Sequence, residues 1–404
     1  MKGYIIGLFL LVVDQTTLAA EYNLYLRSQL QWLYRDIKED KNNNPDNRVF
    51  RLAENSAEAE LRPTLESNFS HISLSLNPRL DYQFDHNRYS REEDTNLTLR
   101  YWQAELTKDA FNVKAGQYVQ LWGPSVLFSP SNRYHTDNGS TNPKSELAAR
   151  EFVEATWYCN TFWDIEFIAN VGSGKQTLSD FSASGDIRAN WVGDRLSTTL
   201  QVSYLNPGWG WGGLLQWTLN DAWILYADGL YAPFGVPNNF TSQNESSLGD
   251  PELKAVAGLS YTFQNGLNLA VDYYYNGRGF NKTDSALLFQ QGIDATADLL
   301  QGNNAENALS FISTLNQQPF FTISKNYAAT RLSHSQLLDG LSASVTAINN
   351  LDDHSARYVI IFDYDVGDAL SLFTNFNTVS GNSRTEFGRF FNSQFSIGLH
   401  WVIL

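Results

Sequence analysis

Cysteine and methionine are almost absent from this chain of 404 residues: Cys159 and Met1 stand alone. A single thiol excludes an internal disulfide framework and any cysteine-based metal site. The six histidines (His71, His86, His135, His334, His354 and His400) are scattered without the close spacing of a metal cluster, so no metal or cofactor is expected. Positive charge is scarce as well. Lys and Arg total 28 against 43 Asp and Glu, a net charge of -15 that argues against nucleic acid as a partner. Beyond the N-terminus no segment approaches the roughly 20 apolar residues of a membrane helix. Pro/Ser-rich linkers and exact repeats are also missing, so nothing divides the chain.

Aromatic residues, by contrast, are abundant at 14%. The mean hydropathy of -0.33 is too polar for a helical membrane protein. A membrane barrel tolerates it, because only alternate residues of each strand meet lipid. That alternation is clearest from Ser70 to Asp85. Ile72, Leu74, Leu76, Pro78, Leu80, Tyr82 and Phe84 share one parity, and Ser73, Ser75, Asn77, Arg79, Asp81, Gln83 and Asp85 the other. Successive strand residues point to opposite faces, so the run has one apolar and one wet face. It exceeds the roughly 9–11 residues that a tilted strand needs to cross a bilayer. One long strand of a soluble sandwich is the competing reading.

The same pattern recurs along the chain, as in Leu196 to Tyr204, Leu267 to Asn276 and Arg357 to Tyr364. Tight turns such as Gln264-Asn265-Gly266 alternate with longer polar loops at 36–47, 122–149, 233–253, 281–325 and 379–390. Short turns on one side and long loops on the other predict an antiparallel transmembrane β-barrel of about 18 strands, with 16 as the alternative. The turns would be periplasmic and the loops extracellular. Ser285 to Leu315 has helical spacing (Leu287, Leu288, Ile293, Leu299, Leu300), which predicts a helical plug or lid within loop 281–325. Residues 1–20 read as a signal peptide, with Lys2 before an apolar run from Tyr4 to Val13 and cleavage after Ala19 or Ala20. Residues 21–404 then form a single barrel domain.

Charges on the wet parity are the candidate lumen lining: Arg27, Glu58, Glu60, Arg62, Arg79, Asp81, Asp85, Arg100, Lys114, Glu154 and Arg188. Opposed signs across a pore wall orient polar solutes; pairing that merely braces the wall is the plainer reading. If loop 122–149 folds inward, Trp122, Asn132, Arg133, Tyr134, His135 and Lys144 become a constriction; otherwise it is a surface loop. His71 and Ser73 share a strand face, the minimum for a nucleophile and base. No G-x-S-x-G elbow and no H-E-x-x-H helix supports a hydrolase, and Gly172-Ser173-Gly174-Lys175 lacks phosphate-loop spacing. No catalytic residues are expected.

Three motifs carry a resemblance. Val113-Lys114-Ala115-Gly116-Gln117, Leu121-Trp122-Gly123-Pro124 and Ser129-Pro130-Ser131-Asn132, followed by Asn142-Pro143, resemble a family of uncharacterised Gram-negative outer-membrane barrels with a Gly-Arg-Gln…Trp-Gly strand. The Arg of that pattern is missing here, since Gln117 follows Gly116 directly. The chain is similar, more loosely, to alginate-export porins. Ser396, Gly398, Trp401 and Ile403 resemble the C-terminal signal read by the barrel-assembly machinery, although the chain ends in Leu404 rather than an aromatic residue. These resemblances imply an outer-membrane channel for a small polar solute or an exported polymer, with membrane lipid and the assembly machinery as partners. A surface-polysaccharide assembly role and a lipid-directed hydrolase are the alternatives.

Overall fold

The computed structural model describes residues 20–40, 43–135, 137–142, 147–174, 183–205, 208–233, 251–316 and 323–403. The expected signal peptide lies outside them apart from Ala20, and Lys144 lies outside them too. Eighteen strands follow one another: β1 (Ala20–Ile37), β2 (Asn55–Phe69), β3 (Ile72–His86), β4 (Arg91–Lys108), β5 (Phe111–Tyr118), β6 (Arg150–Tyr158), β7 (Trp163–Gly172), β8 (Ser184–Val192), β9 (Leu196–Leu205), β10 (Gly208–Thr218), β11 (Trp223–Pro233), β12 (Pro251–Thr262), β13 (Leu267–Asn276), β14 (Asn326–Leu338), β15 (Leu341–Asn350), β16 (Ala356–Asp365), β17 (Leu370–Ser380) and β18 (Phe391–Ile403). Each pairs antiparallel with its neighbours in the chain, and β1 pairs with β18 from Leu26↔Ile403 to Ile37↔Phe391. The sheet therefore closes into an 18-stranded barrel, the larger of the two expected counts. Closure removes the edge strands, so a bilayer meets no unpaired backbone.

The parity read from Ser70 to Asp85 is realised in β3, where Leu74, Leu76, Leu80 and Tyr82 are exposed on the outer face. Aromatic residues gather near the end that carries the chain termini. Phe111 stacks on Trp157 at 6.3 Å, Trp163 lies 6.5 Å from Trp191, and Trp223 lies 4.6 Å from Tyr261. Rings at that level suit the headgroup region, where an apolar body meets water. At this same end the links are short, among them Ser70–His71 and 263–266. The Asn265-Gly266 turn forms there with Gly266 at φ +85°, a backbone conformation glycine takes without strain. The opposite end holds the long links 119–149 and 277–325, but also the brief 206–207.

Two sequence details shape the wall beside the bore. Pro78 cannot donate to the ladder. The β3–β4 register slips there, from Asn77↔Tyr101 to Pro78↔Leu99, and Arg100 becomes the extra residue of a bulge. In β2 and β3 the ladder is also interrupted between Leu61↔Leu80 and Leu65↔Leu76, the stretch that holds Pro63 and Pro78.

Two helices occupy part of 281–325, α1 (Lys282–Gln301) and α2 (Ala305–Asn316). Asn281 caps α1 by accepting from the backbone N–H of Thr283 and Asp284. Leu288, Phe289, Leu315 and Ile323 form the core of the hairpin. Its recorded anchors are rim loops: Thr296 donates to the carbonyl of Asn43, and Arg389 donates to that of Leu315 at 3.0 Å.

Candidate functional site

The wet parity is not uniformly wet. From β12 to β15 the inner face presents Val256, Tyr274, Tyr327, Ala329 and Ile348, all buried. They are covered in part by Leu127 and Phe128 of the link between β5 and β6, whose described residues turn into the barrel. Leu127 and Phe128, together with Phe387 from the link before β18, complete this core, and Phe128 stacks on Tyr274 at 4.6 Å. Burying two such side chains contributes about 1.5–3 kcal/mol each.

Three aspartates on inner positions hold the same segment. Asp272 of β13 accepts from the Ser125 hydroxyl at 2.7 Å. Asp228 of β11 accepts from the Ser129 hydroxyl and the Ser131 backbone N–H, both at 2.9 Å. Asp186 of β8 accepts from the Tyr134 hydroxyl at 2.7 Å and pairs with Arg133 at 3.1 Å. Hydrogen bonds to a buried carboxylate are among the stronger kinds. The far arm of the segment is held by Asn375 of β17, which donates to the Thr141 carbonyl at 3.2 Å. Gly123 takes φ +116° where this segment leaves β5, and an added Cβ there would meet the Ser129 hydroxyl at 2.1 Å.

Of the expected constriction residues that are described, Arg133 and Tyr134 bond to the wall, and Trp122 and Asn132 brace the segment internally. The Trp122 indole donates to the Ser131 hydroxyl at 3.0 Å, with the Arg188 guanidinium 4.4 Å from its ring. Asn132 is fully buried; it donates to the Gln120 carbonyl and accepts from the backbone of Tyr134 and His135. Arg133 also reaches the Tyr204 carbonyl. Burial, helped by the nearby Arg150 charge, pushes the His135 imidazole down to about 4. Asn142 of this segment borders the open space.

That space is a cavity of about 260 Å³ against β1–β4 and β18, bordered by Arg35, Glu58, Glu60, Arg79, Arg100 and Asn142 among others. Of the expected lumen charges, five form one network: Arg79 pairs with Glu58 at 2.9 Å, with Asp81 at 3.3 Å and with Glu60, which also pairs with Arg62. Asp85 borders a second cavity nearer the loops. Lys114 and Glu154 pair at 3.2 Å, and the Tyr118 hydroxyl donates to the same carboxylate. Arg188 is buried against Glu166 at 2.6 Å. Arg27 stands exposed opposite Arg62 in the register.

No family model matches this sequence, and no curated protein matches it. Solved structures do. OccK5 (OpdH) of Pseudomonas aeruginosa superposes with a TM-score of 0.57 over 95% of this chain and 98% of its own, at 11% identity. OccK11 (OpdR) of the same organism gives 0.58 over 95% and 96%, also at 11%. Pseudomonas aeruginosa OprD gives 0.54 over 97% and 98%, at 12%. At such identities the likeness is one of fold.

Asp186, Asp228 and Asp272 were not singled out in the sequence. Asp272 falls on the polar parity of its strand, which was visible, but nothing local ties it to Ser125, 147 residues away.

Proposed function

We propose that this chain is an outer-membrane channel passing small polar solutes along the β1–β4 wall. The observation that carries the reading is the division of the interior. The 119–149 segment is pinned across the β8–β17 side, while a cavity bordered by charges of both signs stays open opposite. Fixed charges in a narrow aqueous passage select by sign and dipole. In this reading the long links face outward and the termini face the periplasm. Gly116 supports the resemblance to the uncharacterised barrel family, because a Cβ there would fall 2.1 Å from the Trp102 carbonyl oxygen. Arg100 is the selectivity residue this reading favours, since it borders the cavity. Lys114 stands farther back, held by Glu154 and 4.3 Å from the Tyr118 ring centre.

The test is reconstitution into planar bilayers under a KCl gradient. Arg100→Glu is expected to move the reversal potential toward cation preference. An unchanged potential would remove Arg100 from the passage, and the absence of any conductance step would reject the channel.

A further inference from the structure

Two cavities lie in series on the open side of the bore, and their chemistry differs. The outer one, about 750 Å³, has a mostly apolar wall drawn from three segments: Phe50 and Leu52 of link 38–54, Leu309 and Ile312 of α2, and Phe390 and Phe391 at the start of β18. Phe50 and Phe390 meet edge to face at 5.6 Å. The inner cavity is polar, bordered by Arg35, Arg79, Arg100 and Glu58. Arg35, Gln83 and Gln394 border both spaces, so they adjoin. The outer volume falls within the roughly 300–1,000 Å³ of small-molecule sites.

Arg35 is held at this junction by the Ala53 carbonyl at 3.1 Å and the Ser56 hydroxyl at 3.3 Å. Of the two neighbouring carboxylates, Glu60 is 2% exposed and enclosed by Arg62 and Arg79, whereas the Glu58 side chain is 34% exposed. Glu58, paired with Arg79 at 2.9 Å, therefore presents a part-exposed carboxylate to the cavity that Arg35 also borders. A carboxylate fits the arginines and an ammonium fits Glu58, while an apolar group reaches the outer wall. A solute lacking any one of these leaves part of the site unmatched, and unpaired buried polar groups cost affinity.

We propose that the two adjoining cavities form one binding site for a small zwitterion bearing an apolar side chain, such as a neutral amino acid or short peptide with a hydrophobic residue. The site rests on the channel reading but is separable from it. Glu58 and Arg35 fix the head group, and the Phe50, Leu309 and Ile312 wall takes the side chain. The α1–α2 hairpin thereby becomes part of the site, held to the rim by Arg389.

The experiment adds solutes to single channels in KCl. L-phenylalanine is expected to interrupt the current at concentrations about tenfold lower than glycine, benzoate or phenethylamine. Phe50→Ala and, independently, Ile312→Ser are expected to erase the gap between phenylalanine and glycine. Equal potency of phenylalanine and glycine, or of benzoate and phenylalanine, would overturn the proposal, as would a gap that survives both substitutions. Saturation-transfer NMR with L-phenylalanine on the detergent-solubilised protein reads the site without the pore. Transfer without conductance would uphold the site and reject the channel; conductance without transfer would reject the site alone.

Discussion

Asp228→Ala tests whether the inner segment is docked by a few buried carboxylate contacts. The substitution removes the acceptor of the Ser129 hydroxyl and of the Ser131 backbone N–H, both at 2.9 Å in a buried setting. A hydrogen bond to a charged group contributes about 1.5–3 kcal/mol, and losing one partner leaves the other desolvated. Removing the carboxylate also removes its own burial cost. A net loss of about 3 kcal/mol is therefore expected for docking of the segment, roughly a hundredfold shift toward the undocked state. The β11 ladder is untouched, because its backbone pairs do not involve this side chain. The barrel should thus keep its heat-dependent electrophoretic shift. Single-channel recordings should show a larger and noisier conductance, since the segment lies across the β8–β17 side of the bore. Asp228→Ala combined with Asp272→Ala should exaggerate both effects. Wild-type conductance and noise in the double variant would refute the docking argument.

Gly116→Ala should abolish folded barrel rather than alter transport, because its Cβ would lie 2.1 Å from the Trp102 carbonyl oxygen and 2.7 Å from the Gln103 Cα; the yield of heat-shifted protein checks this. Gly302→Ala meets no atom within 4 Å and strains only the backbone at φ +74°, so it should fold with a loss near 1 kcal/mol. The His135 imidazole titrates near 4 in place against about 6.5 when free, so the docked segment binds fewer protons than the undocked one. Docking is fully favoured above the free value and weakens as pH falls from about 6.5 toward 4, by about 3 kcal/mol in all; current noise rising over that window, and flattened in His135→Gln, is the expected result. Arg389→Met removes the donor to the Leu315 carbonyl and the cation 5.5 Å from the Phe289 ring; protease cleavage within α1–α2 should quicken while the barrel stays intact.

The barrel was legible because lipid imposes one rule on every strand. Leu74, Leu76, Leu80 and Tyr82 all face the same apolar medium, so period two survives along the chain. The inward turn of residues 119–149 was stated only as one of two readings, and its destination was not legible. Ser129 finds Asp228 99 residues away and Thr141 finds Asn375 234 residues away, distances at which no periodicity signals contact. The six candidates named on that segment were chosen as polar and aromatic groups suited to line a passage. The same chemistry suits them to grip a wall, and the sequence does not distinguish the two uses. The apolar inner face of β12–β15 has a related cause. Val256, Tyr274 and Ile348 are apolar on the inner side because another part of the chain covers them.

The seam between β1 and β18 also sets an order of events in assembly. Leu30 meets Leu399 near the two ends of the chain, so joining them closes the longest loop the molecule has. Its entropic cost of about 5 kcal/mol cannot be met until the final strand is available. The partners of residues 119–149 lie on β8, β11, β13 and β17, all later in the sequence. All four of these walls precede β18 in the chain, so every partner of the segment is present before the seam can close. A chain stalled before β17 would lack both the contact that holds Thr141 and the strand that closes the cylinder.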